Sequence, residues 1–229
     1  MDRRMTEKGN EQAILESWQR NATPWTNLIR HQSISSRCIT NPAIVETIAA
    51  LQPKRVLDVG CGEGWLCRAL CQHGIHSTGI DAIDTLVEAA RQQHPPGEYL
   101  QLPYGDIPGP LAGRHFDAVV CNFSLFGDQS VSDLIPTLGS LLAPQGHLLI
   151  QTLHPAMSHQ GDYREGWRSN NWQGLKGNVD TPFPWYFRSF SGWLSLIQSH
   201  GFRVTVREPL CPDTHQPLSL ILTARKQEL

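Results

Sequence analysis

The sequence predicts an α/β protein built around a mostly parallel β-sheet. Between residues 55 and 153, short apolar runs that end in glycine or an acidic residue alternate with segments of helical period. Strands and helices in this alternation are typical of a parallel sheet covered by helices. The chain has 229 residues, of which 40% are hydrophobic, so it is long enough to bury a sizeable core.

The first forty residues predict a helical N-terminal extension. Apolar side chains recur at helical spacing within 11–20, and a second short helix is expected after Pro24. Thr40-Asn41-Pro42 then predicts the start of another helix, because a capping side chain precedes a proline in the first turn. We therefore divide the chain into an extension, residues 1–40, and a main domain, residues 41–229.

Glycine, proline and capping residues mark the boundaries of the predicted strands and helices in the main domain. Arg55–Gly60 is an apolar run that ends in glycine, which predicts a buried strand. Gly74 closes the next helix, Asp84 caps the following one, and Pro95-Pro96-Gly97 ends it. The predicted strands are 55–60, 75–80, 98–102, 116–122, 146–153, 202–208 and 218–224. The predicted helices are one that begins at Thr40 and those at 65–73, 84–93, 128–142 and 191–200.

Residues 154–188 break this alternation. The segment is rich in glycine, proline and aromatic residues, and six of the seven tryptophans of the chain lie outside residues 52–153. A stretch of this length without regular structure is usually functional, for example as a lid. The sequence therefore predicts an aromatic-rich insertion that forms a cap together with the N-terminal extension.

The composition argues against several classes of protein. Nineteen Lys and Arg against 21 Asp and Glu give a net charge of −2, which disfavours nucleic acid as a partner. No run approaches eighteen apolar residues and the N-terminus has no apolar core, so neither a membrane span nor a secretory signal is predicted. The six cysteines are interpreted as reduced thiols, and the expected location is the cytoplasm.

The cysteines do not predict a metal site. Cys67 and Cys71 share one predicted helix, but the sequence contains no Cys-x-x-Cys pair. Small buried thiols are the favoured interpretation, and no metal is expected.

A glycine-rich turn carries most of the functional information. Gly60, Gly62 and Gly64 lie between a predicted strand and a predicted helix, where glycine lets the backbone turn tightly and approach a ligand. A dinucleotide-binding turn would have its third glycine at position 65, where the chain has Trp65. An oxidoreductase that uses NAD is therefore disfavoured. Asp58 precedes the first glycine by two residues.

This turn resembles motif I of the class I S-adenosylmethionine (SAM)-dependent methyltransferases. The resemblance extends to Asp81 at the end of the second strand and Asp106 after the third, which match acids that bind the ribose and the adenine amino group in that family. It also includes Leu142–Ile150, where Gln145 replaces a glycine of the family pattern. The resemblance implies a Rossmann-like, doubly wound, seven-stranded sheet that is mostly parallel and ends in an antiparallel hairpin.

The resemblance also implies a set of contacts to SAM. The implied cofactor-binding residues are Asp58, Gly60, Cys61, Gly62, Asp81, Ala82, Ile83, Asp106, Ile107, Asn122 and Phe123. Arg37, in the extension, either pairs with the SAM carboxylate or is an ordinary surface arginine. Trp65 either packs on the sheet or flanks the cofactor, with packing favoured.

The acceptor side is predicted from the insertion. His154 follows the fifth strand and is a candidate general base, with a loop histidine bonded to backbone as the plainer interpretation. Tyr186 and Arg188 lie in a segment that resembles a Tyr-Phe-Arg or Tyr-His-Arg signature of many small-molecule methyltransferases. The resemblance implies that Tyr186 positions the acceptor and that Arg188 holds a substrate carboxylate. The candidate substrate contacts are Trp25, Tyr163, Trp167, Trp185 and Arg188.

The implied reaction is methyl transfer from SAM to an oxygen or nitrogen, and less readily a carbon or sulfur, of a small molecule. S-adenosylhomocysteine would be the product. No Asp-Pro-Pro-Tyr or Asn-Pro-Pro-Tyr follows the fourth strand, which argues against the branches that methylate amino groups of nucleic acids and of protein glutamine. A non-catalytic SAM-binding regulatory protein and an RNA methyltransferase remain the alternatives.

Overall fold

The computed structural model describes residues 3–170 and 182–226. Its strands are β1 (Arg55–Val59), β2 (His76–Asp81), β3 (Glu98–Gln101), β4 (Phe116–Asn122), β5 (Leu142–Leu153), β6 (Gly166–Asn170), β7 (Phe183–Phe187), β8 (Phe202–Arg207) and β9 (Ser219–Lys226). Its helices are α1 (Arg3–Arg30), α2 (Arg37–Ala50), α3 (Trp65–Gln72), α4 (Asp84–Gln93), α5 (Gln129–Ser140), α6 (Pro155–Ser158) and α7 (Phe190–Gln198). A single 3₁₀ turn, Tyr104–Asp106, follows β3.

Seven strands form one sheet in the order β3-β2-β1-β4-β5-β9-β8. Strands β1 to β5 pair in parallel, whereas β9 is antiparallel to both of its neighbours. The predicted Rossmann-like sheet with a C-terminal antiparallel hairpin is thus confirmed. The strand order reverses between β1 and β4, and a crevice at such a reversal is where open α/β sheets bind ligands.

Alternating side chains of the central strands bury both faces of the sheet. Leu57 and Val59 of β1 pack in a cluster with apolar residues of α5 and α7. Val56 of the same strand, with Val120 of β4 and Leu149 of β5, packs in a second cluster with α2 and α3. Because successive strand residues point to opposite faces, this parity also decides which face the polar residues at the strand ends occupy.

The N-terminal extension differs from its prediction. One continuous helix, α1, replaces the two expected short helices and contains Pro24 in its interior. A proline there removes one hydrogen bond of the helix, which predicts a break. Burial of Ala22 against Ile83 and Leu86, and of Leu28 in an aromatic cluster, compensates for that loss. Similarly α2 begins at Arg37 rather than at Thr40.

The insertion is also more regular than predicted. Strands β6 and β7 form a separate antiparallel hairpin in which Trp167 pairs with Tyr186. Phe183, Trp185 and Phe187 alternate along β7 and are buried in a cluster with residues of α1. Burial of every second residue gives β7 one apolar face and is the reason that a strand forms. Trp172, assigned to the insertion, lies outside the described residues.

Candidate cofactor and acceptor site

The glycine turn after β1 closes against the end of β2. The backbone N–H groups of Gly60 and Cys61 both donate to the carbonyl oxygen of Ile80, at 2.8 and 2.9 Å. Gly60 has a φ of +75°, and a Cβ built on it would lie 2.3 Å from Cβ of Ser124. Only glycine therefore fits at this position. At Gly62, with a φ of +56°, a Cβ would find nothing nearer than the indole nitrogen of Trp25 at 4.0 Å.

Asp81, at the end of β2, holds the glycine turn in place. Its Oδ2 accepts a hydrogen bond from the N–H of Gly62 at 2.8 Å, and its Oδ1 accepts one from the N–H of Ile83 at 2.9 Å. Burial raises the pKa of this carboxyl group, and the backbone donors oppose that shift. Each carboxylate oxygen has a second lone pair, so Asp81 can also accept from a ligand.

Buried polar atoms without partners cluster beside the turn. Asp58 is 1% exposed, and the Cys67 thiol donates to its Oδ2 at 3.7 Å, but its Oδ1 has no partner. Oε1 of Glu63 has no partner either, although Oε2 of that side chain pairs with Arg68. Buried polar atoms are almost always hydrogen-bonded, so several orphans in one place indicate a ligand site. Burial raises the pKa of Asp58 to about 7.

Arg37 supplies a cation to this cluster. It lies at the start of α2, its guanidinium covers the Trp65 ring at 4.7 Å from the ring centroid, and its Nη2 has no hydrogen-bond partner. Burial lowers its pKa to about 10, and the charge of Glu63 opposes that shift. Arg37 is therefore not an ordinary surface arginine. The Trp65 ring therefore packs against the cluster around α2 and also lies beneath the Arg37 guanidinium.

The ends of β4 and β5 add two more orphaned atoms. Asn122 and Gln151 are register partners, and Oδ1 of the first and Oε1 of the second are buried without hydrogen bonds. Asp58, Asn122 and Gln151 each follow by two residues a strand residue that is buried against α2 and α3. Because side chains two residues apart on a strand point to the same face, all three lie on the α2–α3 face of the sheet. Phe123 then turns the chain with a φ of +52°, and its N–H donates to the carbonyl of Gln151 at 2.8 Å.

The predicted adenine-binding residues lie at the opposite end of this crevice. Ala82 and Ile83 are packed beneath α1, in contact with Ala22 and Trp18 of that helix. Asp106 is exposed in the 3₁₀ turn after β3. Ile107, also a predicted contact, is fully buried in the core. The side chain of Cys61 packs in a small cluster with Cys67, Val87, Ala90 and Tyr99. The Cys61 thiol also donates to the carbonyl oxygen of Gly62 at 3.6 Å.

Sequence reasoning missed several residues that shape this site. Ser124 donates from Oγ to the carbonyl of Val59 at 2.7 Å, and Tyr104 donates from its hydroxyl to the carbonyl of Ser124 at 2.9 Å. These bonds join the ends of β1 and β4 to the segment after β3. Glu63 and Gln151 were missed as well. A polar residue at the end of a predicted buried strand was the available signal for Gln151, whereas Glu63 and Tyr104 had none.

A small cavity of about 10 Å³ lies beyond the ends of β4 and β5. Aromatic and hydroxyl-bearing side chains line it, together with two leucines and one arginine. The lining residues are Leu125, Phe126, Thr152, Leu153, Ser158, Trp185, Tyr186, Arg188 and Trp193. Three predicted acceptor-side residues, Trp185, Tyr186 and Arg188, therefore reach it. The N–H of Tyr186 donates to the carbonyl of Phe126 at 2.7 Å and so docks the hairpin onto the end of β4.

The other predicted substrate contacts lie away from this cavity. Trp25 belongs to α1, where it approaches Gly62 and packs edge-on against Trp18 at 5.2 Å. Trp167 packs edge-on against Tyr186 at 5.7 Å, and its indole nitrogen is buried without a partner. Tyr163 is 46% exposed and accepts a hydrogen bond from the N–H of Phe190. Trp25 thus lies beside the glycine turn and not at this cavity.

Arg188 requires a correction. Its guanidinium is buried and donates to the carbonyl oxygens of Gly127 and Asp128, each at 2.7 Å, and to Oδ1 of Asp128 at 3.0 Å. It also lies over the rings of Tyr186 and Trp193, at 4.8 and 5.2 Å from their centroids. A cation engaged in this way is not available as the anchor of a substrate carboxylate, because the chain itself supplies its carboxylate.

His154 caps helix α6 and is nearly buried. Its Nδ1 accepts a hydrogen bond from the N–H of Ala156 at 3.3 Å, and its Nε2 lies 2.6 Å from Oε1 of Glu208. Nδ1 as an acceptor places the proton on Nε2, which then donates to Glu208. Both ring nitrogens are therefore engaged within the chain. This arrangement favours the plainer interpretation of a structural histidine over that of a general base.

Helix α1 closes the crevice from above. Glu11 accepts hydrogen bonds from the N–H groups of Asp128 and Ser130 at 3.0 and 3.3 Å, and from the hydroxyl of Ser130 at 2.7 Å. A carboxylate at the start of α5 compensates the unpaired N–H groups and the positive end of that helix. Further along α1, Trp18 lies against Phe126 at 5.9 Å. One helix thus covers the predicted adenine residues and the acceptor side together.

Residues 3–170 and 182–226 contain neither a helix suited to a membrane nor a cluster of metal-binding side chains. No helix there combines the length and apolar character needed to cross a membrane. Nor do three or more His, Cys, Asp or Glu side chains converge there as the ligands of a metal would.

The sheet has the fold of a solved structure that is described as a putative S-adenosylmethionine-dependent methyltransferase, from Listeria monocytogenes. A family model described as a methyltransferase domain matches residues 35–208, and the chain belongs to this family. Since the match begins just before α2, it leaves α1 outside the part that the family shares.

Individual relatives agree with this membership. The chain is 32% identical over 127 residues to a malonyl-[acyl-carrier protein] O-methyltransferase of Enterobacter lignolyticus, which covers 56% of this chain and 49% of that protein. It is 37% identical over 122 residues to a ubiquinone biosynthesis O-methyltransferase of Xanthomonas axonopodis pv. citri, with 50% of each chain covered. The chain spans about half the length of the curated relatives it matches.

A solved structure resembles the whole chain. The 1,6-didemethyltoxoflavin-N1-methyltransferase of Burkholderia thailandensis, solved with bound 1,6-didemethyltoxoflavin and S-adenosylhomocysteine, superposes with a TM-score of 0.64. It is 14% identical and covers 100% of this chain and 92% of that one. At this identity the likeness shows the fold.

Proposed function

We propose that this chain transfers a methyl group from SAM to an oxygen or nitrogen of a small-molecule acceptor. The observation that carries the proposal is the cluster of orphaned buried atoms around the glycine turn: Nη2 of Arg37, Oδ1 of Asp58, Oε1 of Glu63 and Oδ1 of Asn122. One cation and several oxygen acceptors are complementary to the carboxylate and the ammonium of an amino acid. SAM carries such an amino-acid end.

The residues present fit the rest of that molecule as well. Arg37 would hold the carboxylate, and Asp58 would accept from the ammonium group. Asp81 would accept from ribose hydroxyls with its remaining lone pairs, while Asp106, Ala82 and Ile83 would form the adenine end. No phosphate needs to be held, which agrees with a turn whose third glycine is Gly64 and whose next residue is Trp65.

When bound, SAM supplies an electrophilic methyl carbon on a positively charged sulfur. The protein mainly contributes orientation and exclusion of water, which together lower a barrier by about 7–11 kcal/mol. Phe126, Trp185 and Tyr186 contribute aromatic rings to the lining of the cavity. An aromatic ring whose face meets a cation stabilises it by about 0.5–2 kcal/mol.

The proposal is tested by titrating the protein with S-adenosylhomocysteine in a calorimeter, with NAD as the control ligand. We expect binding of the first and none of the second. Asp81→Ala should weaken binding at least tenfold, whereas Asp84→Ala, three residues further on at the exposed start of α4, should leave it unchanged. Absence of binding at millimolar S-adenosylhomocysteine would overturn the proposal.

Catalysis is tested separately with SAM labelled in its methyl group. The protein is incubated with the labelled SAM and a small-molecule extract, and the label is followed by chromatography. Transfer to a small molecule is the expected result. Tight binding of S-adenosylhomocysteine without any labelled product would instead assign the chain to the non-catalytic SAM-binding proteins.

A further inference from the structure

The first turn of α2 carries Arg37, and this turn is held from the sheet. Among the described residues, Ser36 at the N-cap of α2 makes no side-chain capping hydrogen bond. A helix start without such a cap frays more readily. The position of Arg37 therefore depends on other contacts that the first turn makes.

Gln151, near the end of β5, makes such a contact. Its side-chain amide nitrogen donates to the carbonyl oxygen of Thr40 at 3.1 Å and to the hydroxyl oxygen of Ser219 in β9 at 2.9 Å. A backbone carbonyl can only accept, so the nitrogen of the amide, and not its oxygen, faces Thr40. Gln151 is 1% exposed and Thr40 is 2% exposed, so water does not compete for this hydrogen bond.

This hydrogen bond lies close to Arg37 along the helix. Arg37 and Thr40 are three residues apart in α2 and therefore share one face of that helix. The Arg37 guanidinium lies over the Trp65 ring, and its Nη2 has no hydrogen-bond partner among the described residues. Attraction between a cation and a ring face does not fix the direction of the N–H groups. That direction therefore depends on the backbone of this turn.

The other end of the Gln151 amide belongs to the site. Its Oε1 is buried without a partner among the described residues, as is Oδ1 of Asn122, its register partner on β4. We infer that Gln151 is a positioning residue for the cofactor: its amide nitrogen fixes the first turn of α2 and so directs Arg37 toward the carboxylate of SAM. The inference rests on the proposed function, because it takes that carboxylate as the ligand of Arg37.

Two ligands separate this role from a general effect on the fold. S-adenosylhomocysteine carries an amino-acid end, whereas 5′-methylthioadenosine has the same adenine, ribose and sulfur but lacks that end. Gln151→Met keeps a side chain of similar length and removes the amide. We expect it to weaken the binding of S-adenosylhomocysteine about three- to tenfold, the effect of one neutral hydrogen bond, and to leave the binding of 5′-methylthioadenosine unchanged. Calorimetric titration measures both affinities.

A double-mutant cycle with Arg37→Met shows whether Gln151 acts through Arg37. In the Arg37→Met background, Gln151→Met should have no further effect on S-adenosylhomocysteine, because the guanidinium that it positions is gone. Ser219→Ala removes the second hydrogen bond of the amide and should weaken S-adenosylhomocysteine with the same selectivity, to a smaller extent. Gln198→Met, exposed at the end of α7, is the matched control and should change neither affinity.

Three results would overturn the inference: equal weakening of both ligands in Gln151→Met, an unchanged affinity of that variant for S-adenosylhomocysteine, or additive losses from Arg37→Met and Gln151→Met. Thermal melting shows whether each variant is folded, and Ser219→Ala decides the question in the same way if Gln151→Met is not. Failure of the wild type to bind S-adenosylhomocysteine is a different result, since it overturns the proposed function itself.

Discussion

At the scale of single residues, Gly60 shows how tightly the turn is specified. Its positive φ costs a non-glycine residue about 1–2 kcal/mol, and the overlap of a Cβ with Ser124 adds to that cost. We expect Gly60→Ala to lower the free energy of unfolding by about 2–4 kcal/mol. Urea denaturation measures this change.

Gly74 provides the control for this prediction. It has a similar φ of +71°, but nothing lies within 4 Å of a Cβ built on it. Gly74→Ala should therefore show only the backbone cost of about 1–2 kcal/mol. Equal losses in the two variants would mean that the approach of Ser124 to the turn contributes nothing.

Asp58 makes stability depend on pH. Its pKa of about 7 in the folded state exceeds the value of about 3.9 expected in an unfolded chain, so the folded state binds more protons between these values. This contribution to stability is fully present below about pH 4 and is lost as the pH rises through about 7. We expect Asp58→Asn to gain stability relative to the wild type between pH 5 and pH 8. Urea midpoints at both pH values test this, and a constant difference would contradict it.

The same residue predicts a pH dependence of binding. If Asp58 accepts from an ammonium group of the ligand, its ionised form binds better, and the affinity of the wild type for S-adenosylhomocysteine should rise between pH 6 and pH 8. Asp58→Asn should flatten that rise. Calorimetric titrations at three pH values give the profile, and an equal rise in the variant would assign the effect to another group.

At the scale of elements, α1 is the segment whose docking matters most for the site. It contacts the cofactor side through Ala22 and the acceptor side through Trp18, and Glu11 bonds it to the start of α5. Pro24 predicted two shorter helices, and packing of the buried residues of α1 overrides that local preference. The hairpin of the insertion likewise forms because its rings bury one face against α1.

We expect Glu11→Gln to loosen α1 without unfolding the main domain. The substitution removes a charged acceptor from a helix start, which contributes about 0.3–2 kcal/mol. Hydrogen exchange of the amides of α1 should become faster, and the dissociation of S-adenosylhomocysteine should too. Glu16→Gln, on the exposed side of the same helix, is the control, since the Glu16 carboxylate accepts a hydrogen bond from the side-chain amide of Gln12 within α1. Equal exchange in both variants would show that Glu11 does not restrain α1.

At the scale of the whole molecule, the site joins segments from both ends of the chain. A ligand that fits it therefore stabilises the entire fold. S-adenosylhomocysteine at a hundred times its dissociation constant should add about 2.7 kcal/mol, which for a protein of this size raises the melting temperature by about 5–10 °C. Differential scanning calorimetry measures the shift, and an unchanged melting temperature would contradict the proposed site.

The fold could be predicted from sequence because strands and helices of the core have clear local signals. Asp58 and Asp81 lie at or near the carboxyl ends of two predicted strands, and Gly60 follows the first of these strands. Because the two strands are parallel neighbours, these residues come together at one edge of the sheet. Arg188 and His154 could not be assigned in this way. Whether a charged side chain faces a ligand or a partner in the chain depends on residues distant in sequence, here Asp128 and Glu208.

The amino-acid sequence by itself determined the seven strands, their mostly parallel pairing and the location of the cofactor turn, because each depends on periodicity and on residues a few positions apart. Only the tertiary structure decided which polar atoms remain without partners, how α1 covers the crevice, and that Asp128 neutralises Arg188. These features depend on contacts between segments up to more than a hundred residues apart. Local propensities do not encode such contacts, because burial and charge pairing arise only when the segments pack.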